Sequence, residues 1–459
     1  MSIRARLAAA AARTAGRASR ALGRGGGTAF PGRVMLALDP GGVAELAGSL
    51  GGGTALVSAT NGKTTTTRLL AGALRARGGD VVTNAAGANL LTGVAASLAQ
   101  AAPRAGSTSC AVFEVDEAAL PSVAERVRPT VLLLMNLFRD QLDRHGELES
   151  IGDRWKAMLR AGPVPHLVVC GDDPLLADLP PGDARVTWFG IDDPHVAAAS
   201  LPHAADSTTC RGCGEALSYR AVWVGHVGAW ECTACGRARP EPDVAVVQAR
   251  LDGARGSRPV LRTPEGQVEM HLSLPGLHNV LNAAGALAAA MAMGVPADVA
   301  ADAISRQPAA FGRAERVHVD GRDVVLLLAK NPAGANENVR TLLLDDVEHD
   351  LLVALNDRIA DGRDVSWIWD VDWEPLLPRV RTLTATGDRA HDLALRFRYA
   401  GLPAERLHVE PDHAIALSQA IGRVPHGGTL DVLPTYTAMH EIRADLVARG
   451  AAGEFWEAG

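Results

Sequence analysis

The stretch that decides the fold is TALVSATNGKTT, residues 54–65. Residues 54–58 form a mostly apolar run that predicts a buried strand, and the pattern from Lys63 to about residue 77 predicts a helix. The glycine-containing loop between them, residues 59–62, therefore lies where a strand leads into a helix. A loop in this position offers backbone amides and a helix N-terminus to a phosphate group.

The side chains of this loop match the chemistry of a phosphate site. Gly62 lets backbone amides close around phosphate oxygens, Lys63 supplies positive charge and Thr64 offers a hydroxyl to magnesium. The full Walker pattern is not met, because Val57 occupies the first glycine position. The nucleotide-binding residues that the loop predicts are Thr60, Asn61, Gly62, Lys63, Thr64 and Thr65.

Apolar runs alternate with helical patterns after the loop. Runs at 110–115 and 130–135 predict buried parallel strands, and runs at 167–170 and 186–189 continue the alternation. This order predicts a doubly wound α/β sheet. Glu114, near the end of the first run, is a candidate magnesium ligand, because hard cations prefer carboxylate oxygen.

A cysteine-rich segment interrupts this pattern at about residues 205–240. Two Cys-x2-Cys pairs separated by 18 residues match a four-cysteine zinc ribbon, with Cys210, Cys213, Cys232 and Cys235 as ligands. Four thiolates leave no open coordination position, so the zinc is predicted to be structural. Cys110 and Cys170 lie in apolar strands and are read as inert core residues.

Composition and the pattern of apolar and polar residues divide the chain into three parts. A chain of 459 residues with 47% hydrophobic residues can bury more than one core. We expect a basic N-terminal helix or tail at 1–40, a central ATP-binding domain at 41–312 that contains the ribbon, and a C-terminal Rossmann-like α/β domain at 313–459. Its predicted strands are the apolar runs at 324–329, 351–355, 380–385 and 429–433. The formal net charge of −7 argues against a nucleic-acid partner.

The first 24 residues predict a surface helix that is rich in alanine and arginine. A solvated helix or frayed tail and a contact with a membrane surface are both open for it. No apolar stretch has the length of a secretory signal core or a spanning helix, and six cysteines are too few for a disulfide framework. We therefore expect a cytoplasmic protein.

Several motifs together resemble the Mur ligase family. Residues 59–65 resemble the family's ATP loop, the pattern NxxxDQLDR at 136–144 resembles the segment after the next strand, and LPGLHNVLN at 274–282 resembles the start of its adenine-contacting helix. The resemblance implies nucleotide contacts from Asn279, Asn282, Arg313 and Asn331. Arg313 belongs to a sequence that resembles the hinge before the last domain.

Two positions qualify the resemblance. Many Mur ligases have histidine where this chain has Gln141, which leaves that position without its usual magnesium ligand. Lys156 lies where the family often has a carbamoylated catalytic lysine, and an ordinary salt-bridging lysine is the alternative. The resemblance to the family otherwise spans nearly the whole chain.

The ribbon and the C-terminal sequences AKNPAG, residues 329–334, and ALNDRIADGRDVSW, residues 354–367, resemble the MurT-type branch of the family. That resemblance implies ATP-dependent amidation of the α-carboxyl of D-glutamate in the lipid II stem peptide, through an acyl phosphate, with ATP, Mg²⁺ and Zn²⁺. It also implies a heterodimer with a GatD-type glutaminase that supplies ammonia. Asp357, with Asp364 second, is implied to complete the partner's catalytic triad.

Other interpretations stay open at this point. A stand-alone Mur or folylpolyglutamate-type ligase would add an amino acid without a partner, and an ATP-binding assembly protein would catalyse nothing. Asp357 and Asp364 fit turn caps as well as a triad. The neighbouring Trp367, Trp369 and Trp373 fit an interface or a core. A lipid-linked substrate would bring the chain into peripheral contact with the membrane.

Overall fold

A computed structural model describes residues 1–21, 29–84, 88–102, 106, 108–140, 148–203, 205–308 and 313–451. The strands are β1 Thr54–Ser58, β2 Val81–Thr83, β3 Cys110–Glu114, β4 Val131–Leu134, β5 His166–Cys170, β6 Val186–Ile191, β7 Ser218–Val224, β8 Val227–Glu231, β9 Val244–Leu251, β10 Ser257–Thr263, β11 Gly266–Glu269, β12 Arg313–Val319, β13 Arg322–Leu327, β14 His349–Ala354, β15 Val380–Thr386, β16 Leu407–Val409 and β17 Thr429–Pro434.

The α-helices alternate with these strands over most of the chain. They are α1 Ile3–Ala21, α2 Ala29–Leu38, α3 Gly42–Gly48, α4 Lys63–Arg75, α5 Leu91–Ala101, α6 Leu120–Val127, α7 Leu148–Ala161, α8 Pro174–Ala177, α9 Leu277–Ala292, α10 Ala297–Ser305, α11 Pro332–Leu342, α12 Ala390–Tyr399, α13 His413–Arg423 and α14 Tyr436–Ala448. The predicted strand, loop and helix at residues 54–77 are confirmed, with α4 ending at Arg75.

The first sheet has the strand order β11-β10-β9-β6-β5-β4-β1-β3-β2. The seven strands β2, β3, β1, β4, β5, β6 and β9 run parallel, and β10 and β11 add an antiparallel edge. All residues of β1, β3 and β4 are buried, because helices cover both faces of the sheet. This burial explains the continuous apolar runs in the sequence, and it sets the phosphate loop at the carboxyl edge of a central strand.

The cysteine-rich segment leaves the sheet between β6 and its neighbour β9. It contains the antiparallel pair β7–β8, which forms a separate two-stranded sheet. The side chains of Trp223 and Trp230 are buried in this module, and their indole nitrogens donate to the carbonyls of Asp193 and Gly171 in the parent domain. The module is therefore packed onto the first sheet rather than suspended from it.

The second sheet has the order β12-β13-β17-β14-β15-β16, with parallel pairing except between β12 and β13. Two apolar clusters lie on its opposite faces. The predicted runs in this half appear as β13, β14, β15 and β17. Of the three tryptophans beside this sheet, Trp373 is buried in the core and Trp369 is exposed.

The N-terminal segment forms the packed helices α1 and α2 rather than a free tail. Ala5, Ala8 and Ala12 of α1 are fully buried or nearly so, and the helix contacts α2 and α5. Within the described residues, none of the helices has both the length and the apolar composition that crossing a bilayer requires.

Candidate active site

The phosphate loop is shaped by Gly62, which has a φ of 87° and precedes the first turn of α4. A Cβ at this position would lie 2.2 Å from Oδ1 of Asn282 on α9. Only glycine combines this left-handed backbone with so close an approach. The absence of a side chain at Gly62 therefore lets the loop lie directly against α9, the helix whose start resembles the adenine-contacting helix of Mur ligases.

Lys63 is buried, and its Nζ lies 2.7 Å from Oε2 of Glu117. It also donates to the carbonyl oxygens of Ala59 and Thr60. Burial opposes the charged form of Lys63, but the carboxylates of Glu117 and Glu114 outweigh it and raise the pKa of the lysine. The lysine therefore stays a cation at the mouth of the loop.

Thr64 and Glu114 form an oxygen pair beside this cation. The Thr64 hydroxyl donates to Oε2 of Glu114 at 2.8 Å. Asn84 fixes the Glu114 backbone, since its Oδ1 accepts from the Glu114 N–H at 3.0 Å and its Nδ2 donates to the Glu114 carbonyl at 2.8 Å. A hydroxyl and a carboxylate at this separation fit a magnesium ion coordinated by oxygen.

Asn136 and Phe138, which follow β4, hold the other side of the loop. Asn136 makes a double amide contact, with its Oδ1 accepting from the Asn61 N–H at 2.9 Å and its Nδ2 donating to the Asn61 carbonyl at 3.0 Å. The backbone of Phe138 exchanges two hydrogen bonds with the Thr60 hydroxyl at 3.0 and 3.2 Å. The loop is thus held in place by side chains before any ligand enters.

Asn279 and Asn282 lie in the first turns of α9, next to the loop. Asn282 Nδ2 donates to Asn279 Oδ1 at 3.1 Å, and Asn279 Nδ2 donates to the Pro275 carbonyl at 2.7 Å. Both asparagines line a cavity of about 110 Å³ that also contacts Phe138 and Glu337. Typical ligand pockets enclose about 300–1,000 Å³, so the cavity is narrower than most small-molecule sites.

The second sheet closes this cavity through the segment before α11. Asn331 and Asn61 exchange two amide hydrogen bonds of 3.1 Å each, and Asn331 also caps α11. Lys330 forms an ion pair with Asp140, which follows β4. The predicted nucleotide residue Asn331 therefore directly contacts the phosphate loop.

Asp357 and Asp364 lie after β14, at the carboxyl edge of the second sheet. Oδ2 of Asp357 is 3.3 Å from a guanidinium nitrogen of Arg389, and its side chain is one-third exposed. Asp364 accepts the Ser366 N–H at 2.9 Å, and its hydrogen bonds to Ser366 lower its pKa. Asp364 thus caps a turn on the exposed surface, whereas Asp357 is partly exposed and lies beside an arginine.

This edge faces the phosphate loop across the cleft. Tyr436, at the start of α14, has a raised pKa because of its burial and because of the negative charges of Glu114 and Asp361. Glu114 of β3 and Asp361, in the segment after β14, therefore both contribute negative charge near the Tyr436 hydroxyl. The acidic edge of the second sheet and the predicted magnesium ligand border the same cleft.

Three predicted positions lie away from this cluster or outside the described structure. Lys156 forms an ion pair with Asp178, which also pairs with Arg237 of the cysteine module. This is the salt-bridging arrangement that was the alternative to a carbamoylated lysine. Arg313 begins β12, but its side chain lies outside the described residues, as does all of Gln141.

The four cysteines predicted to bind zinc come together at one end of the β7–β8 pair. All four sulfur atoms lie within 4.8 Å of one another, with Cys210 and Cys235 at 3.6 Å and Cys213 and Cys232 at 3.5 Å. Tetrahedral zinc with Zn–S bonds of about 2.3 Å requires sulfur separations of roughly 3.8 Å. The donor set and its geometry fit a structural zinc ion.

The opposite end of the same hairpin reaches the wall of the cavity. A Cβ on Gly225, which has a φ of 58°, would lie 2.7 Å from the Phe138 ring. The next residue, His226, is fully buried 4.8 Å from the same ring, with Nε2 3.5 Å from Asp173 and Nδ1 4.0 Å from Asp206. Neither ring nitrogen has a hydrogen-bond partner within the described part of the chain.

These two aspartates hold the backbone on either side of Phe138. Asp173 Oδ2 accepts from the Leu137 N–H at 2.9 Å, and Asp206 Oδ2 accepts from the Arg139 N–H at 3.0 Å. The cysteine module therefore supports the segment that positions the Thr60 hydroxyl.

Glu117 and the contribution of Asn136 to the loop were not among the predicted site residues. Glu117 follows Glu114 by three residues, and the cluster of acids after β3 was the available signal. Only the fold shows that Glu117 rather than Glu114 contacts the Lys63 ammonium. Asn136 lies within the quoted NxxxDQLDR pattern, but a pattern does not indicate which backbone groups an amide will bind.

Comparisons with known proteins agree with this geometry. The Mur ligase middle domain family matches residues 57–222, and the MurT ligase C-terminal family matches residues 328–439. The structure resembles a pseudomurein peptide ligase type C from Methanothermus fervidus, with a TM-score of 0.68, 20% identity and coverage of 86% of this chain and 78% of that one. It also resembles the MurF ligase of Thermotoga maritima in complex with ADP, with a TM-score of 0.64, 13% identity and coverage of 91% and 84%.

These matches define a Mur ligase-type α/β protein. A relative identifies the branch of the family. The chain is 32% identical to subunit MurT of the glutamine-hydrolysing lipid II isoglutaminyl synthase of Streptococcus pneumoniae over 428 residues, which cover 93% of each protein. The chain belongs to this MurT family of ligase subunits.

Proposed function

We propose that the chain is the ATP-dependent synthase subunit that converts D-glutamate in the stem peptide of lipid II to D-isoglutamine. The observation that carries this proposal is the cluster of Lys63, Thr64, Glu114 and Asn331 where the two sheets meet. The substrate is inferred from the name of the Streptococcus pneumoniae relative. The need for ATP places the reaction in the cytoplasm, and the lipid-linked substrate places it at the inner face of the membrane.

A carboxylate resists amide formation because its oxygen is a poor leaving group. In the first step, the α-carboxylate oxygen bonds to the γ-phosphorus of ATP, the bond from that phosphorus to the bridging oxygen breaks, and ADP leaves. Lys63 would neutralise phosphate charge, and Thr64 with Glu114 would hold a Mg²⁺ ion, which would supply positive charge to the transferring phosphoryl group. Asn279, Asn282 and Asn331 hold the nucleotide in line with the acceptor.

In the second step, ammonia attacks the carbonyl carbon of the acyl phosphate, phosphate departs, and the nitrogen loses a proton to solvent. Free ammonia is mostly protonated to ammonium near pH 7, so a GatD-type glutaminase partner that delivers neutral ammonia raises the rate. We assign Asp357 to the triad of that partner. Asp364 is the more exposed of the two, but its carboxylate caps the Ser366 turn, whereas Asp357 pairs with Arg389, and this difference supports the choice of Asp357.

The four cysteines are proposed to hold one structural zinc ion. The chain purified without chelator is expected to contain one zinc per molecule by elemental analysis, and a variant that carries Cys213→Ser and Cys235→Ser is expected to contain none. Zinc in that double variant would exclude the assignment of these cysteines as its ligands.

The test is reconstitution with a GatD-type glutaminase, lipid II, ATP, Mg²⁺ and glutamine, followed by mass spectrometry for the change of carboxyl to carboxamide. Lys63→Ala is expected to abolish amidation with either glutamine or ammonia as nitrogen source. Lys156→Ala keeps amidation if Lys156 only forms its salt bridge, and loses it if the lysine takes part in catalysis.

Asp357→Ala separates the two half-reactions. It is expected to lose glutamine-driven amidation and keep ammonia-driven amidation, while the matched variant Asp364→Ala keeps both. Addition of an amino acid in place of the amide would replace this proposal with a stand-alone ligase. If the chain binds ATP but does not hydrolyse it with any nitrogen source, the remaining interpretation is that it is an ATP-binding assembly protein.

A further inference from the structure

Positive charge is concentrated in the first two helices of an otherwise acidic chain. No acidic residue precedes Asp39, although the whole chain has a formal net charge of −7. The arginines of this segment are Arg4, Arg6, Arg13, Arg17, Arg20, Arg24 and Arg33. A charge asymmetry of this kind indicates a negatively charged partner.

The outer face of α1 combines this charge with exposed aliphatic side chains. Ile3 and Leu7 are 78% and 66% exposed and lie one helical turn apart on the side opposite the buried alanines. Arg6 and Arg17, both exposed, are eleven residues apart and so share a stripe beside the two aliphatic residues. Phe30 of α2 is also exposed.

We propose that this N-terminal basic face, defined by Ile3, Arg6, Leu7 and Arg17, binds the surface of an anionic phospholipid bilayer. The side chains of Ile3 and Leu7 enter the boundary between head groups and acyl chains. Arginine stems lie along this boundary while their guanidinium groups reach lipid phosphates. Helix α1 remains packed on α2 and α5 throughout, because binding uses only its outer face.

The fold connects this face to the reactive edge of the first sheet. Gly32 of α2 packs on the carbonyl of Thr92 so closely that a Cβ would lie 1.7 Å from the oxygen. Thr92 is in the first turn of α5, and the Asn89 carbonyl just before that helix accepts from the Asp116 N–H at 3.0 Å, two residues after Glu114. A series of direct contacts therefore runs from α2 through α5 to the end of the strand that carries Glu114, the predicted magnesium ligand. The benefit for a lipid-linked substrate rests on the proposed function, but bilayer binding itself does not.

The experiment is co-sedimentation of the full chain with vesicles of phosphatidylglycerol and phosphatidylcholine, compared with vesicles of phosphatidylcholine alone, without ATP or lipid II. We expect binding only to the anionic vesicles, weakening as salt rises. Ile3→Asp with Leu7→Asp, and separately Arg6→Glu with Arg17→Glu, are each expected to lower the partition coefficient at least roughly tenfold. Glycerophosphate at the same phosphate concentration is expected not to compete, which separates a bilayer from a free phosphate ligand.

Matched controls place the same chemistry elsewhere on the surface. Ile415→Asp changes an exposed isoleucine of α13, and Arg250→Glu changes an exposed arginine of β9. Both are expected to bind anionic vesicles as the unchanged chain does. Circular dichroism and the thermal midpoint verify that the α1 variants remain folded, and the two α1 pairs act as independent checks on each other.

Equal binding to neutral and anionic vesicles, or binding unaffected by both α1 pairs, would overturn the proposal. Absence of vesicle binding, with Arg6→Glu and Arg17→Glu instead weakening association with the glutaminase, would make the face a protein interface and also overturn it. None of these outcomes bears on amidation, which the Lys63→Ala experiment tests separately.

Discussion

Lys63 is a buried cation whose countercharges come from two segments of the chain. Glu117 contacts its ammonium directly, and Glu114 and Asp140 add negative charge nearby. Burial raises the pKa of Glu117, but the Lys63 charge outweighs it, so the carboxyl pKa is lowered in the folded protein. The ion pair between Lys63 and Glu117 therefore stabilises the phosphate loop and also keeps Lys63 positively charged.

Glu117→Gln is expected to lower the free energy of unfolding by about 3 kcal/mol at pH 7, because it leaves Lys63 buried without its closest countercharge. The folded-state pKa of Glu117 is depressed, so its contribution is present above the ordinary pKa of about 4.3 and disappears as the pH falls through the lower folded value. Urea denaturation at pH 7 and at acidic pH measures both effects, and the two proteins should converge in acid.

The double variant Lys63→Met with Glu117→Leu is the control for this prediction. Removing both charges avoids an unpaired buried ion, so this protein should lose less stability than Glu117→Gln alone. A double variant that is as unstable as the single one would show that packing, not charge, sets the effect.

Gly62→Ala is expected to lower ATP affinity at least roughly tenfold, because the new methyl group collides with Asn282 and adds strain of about 1–3 kcal/mol. Gly78→Ala is the matched control, since Gly78 has a similar φ of 81° with open space around its Cα. It should cost about 1 kcal/mol of stability and leave ATP binding unchanged. Calorimetric titration with ATP compares the two, and equal affinities would contradict the role of the Gly62 contact.

At the scale of elements, the β7–β8 hairpin joins the cysteine cluster at one end to the cavity wall at the other. The tip residues Gly225 and His226 pack on Phe138, whose backbone holds the Thr60 hydroxyl. The hairpin, whose other end carries the predicted zinc site, therefore supports the segment that holds the phosphate loop. This arrangement predicts a positioning role for the module.

Gly225→Ala tests that support, because its Cβ would press on the Phe138 ring at 2.7 Å. Overpacking costs about 1–3 kcal/mol, so the KM for ATP should rise roughly fivefold or more, with zinc content unchanged. Gly214→Ala, in the same module at a φ of 81° with open space, should leave KM unaltered. If both variants raise KM equally, the effect belongs to the stability of the module and not to Phe138.

At the scale of the whole molecule, the second sheet closes on both the phosphate loop and the cysteine module. Arg340 of α11 donates to the carbonyls of Trp223 and Val196, and His203 lies 3.0 Å from Asp372. The contact between Asn331 and Asn61 is therefore accompanied by contacts between the second sheet's domain and the region of the module. We expect the two sheets to close around a bound nucleotide, because the cavity between them of about 110 Å³ is smaller than a typical ligand pocket.

Arg340→Met is expected to shift the protein toward an open form, since it removes two hydrogen bonds from a charged donor, each contributing about 1.5–3 kcal/mol. Small-angle X-ray scattering with a non-hydrolysable ATP analogue should give a larger radius of gyration than for the unchanged chain. Arg379→Met is the control, because Arg379 donates to Leu343 and Asp345 within its own domain. An unchanged radius in Arg340→Met would exclude this contact as a determinant of closure.

Local sequence predicted much of the fold and the core of the site. The spacing of apolar residues and the residue types of the loop predicted the strand, loop and helix start at residues 54–65, the buried strands and the start of α9. The spacing of the cysteines predicted that the four sulfur atoms come together. The sequence did not predict that Glu117 pairs with Lys63 or that Asn331 reaches Asn61 from 270 positions away. Such pairs depend on the path of the whole chain.

The amino-acid sequence by itself determined the elements, because hydrophobic period, glycine conformation and ligand spacing act over a few residues. It likewise determined which chemical groups the site could contain. Only the tertiary structure decided which carboxylate neutralises Lys63, which hairpin end supports Phe138 and which face of α1 remains exposed. Those outcomes depend on burial and on distances between remote segments, and both quantities exist only once the sheets have packed.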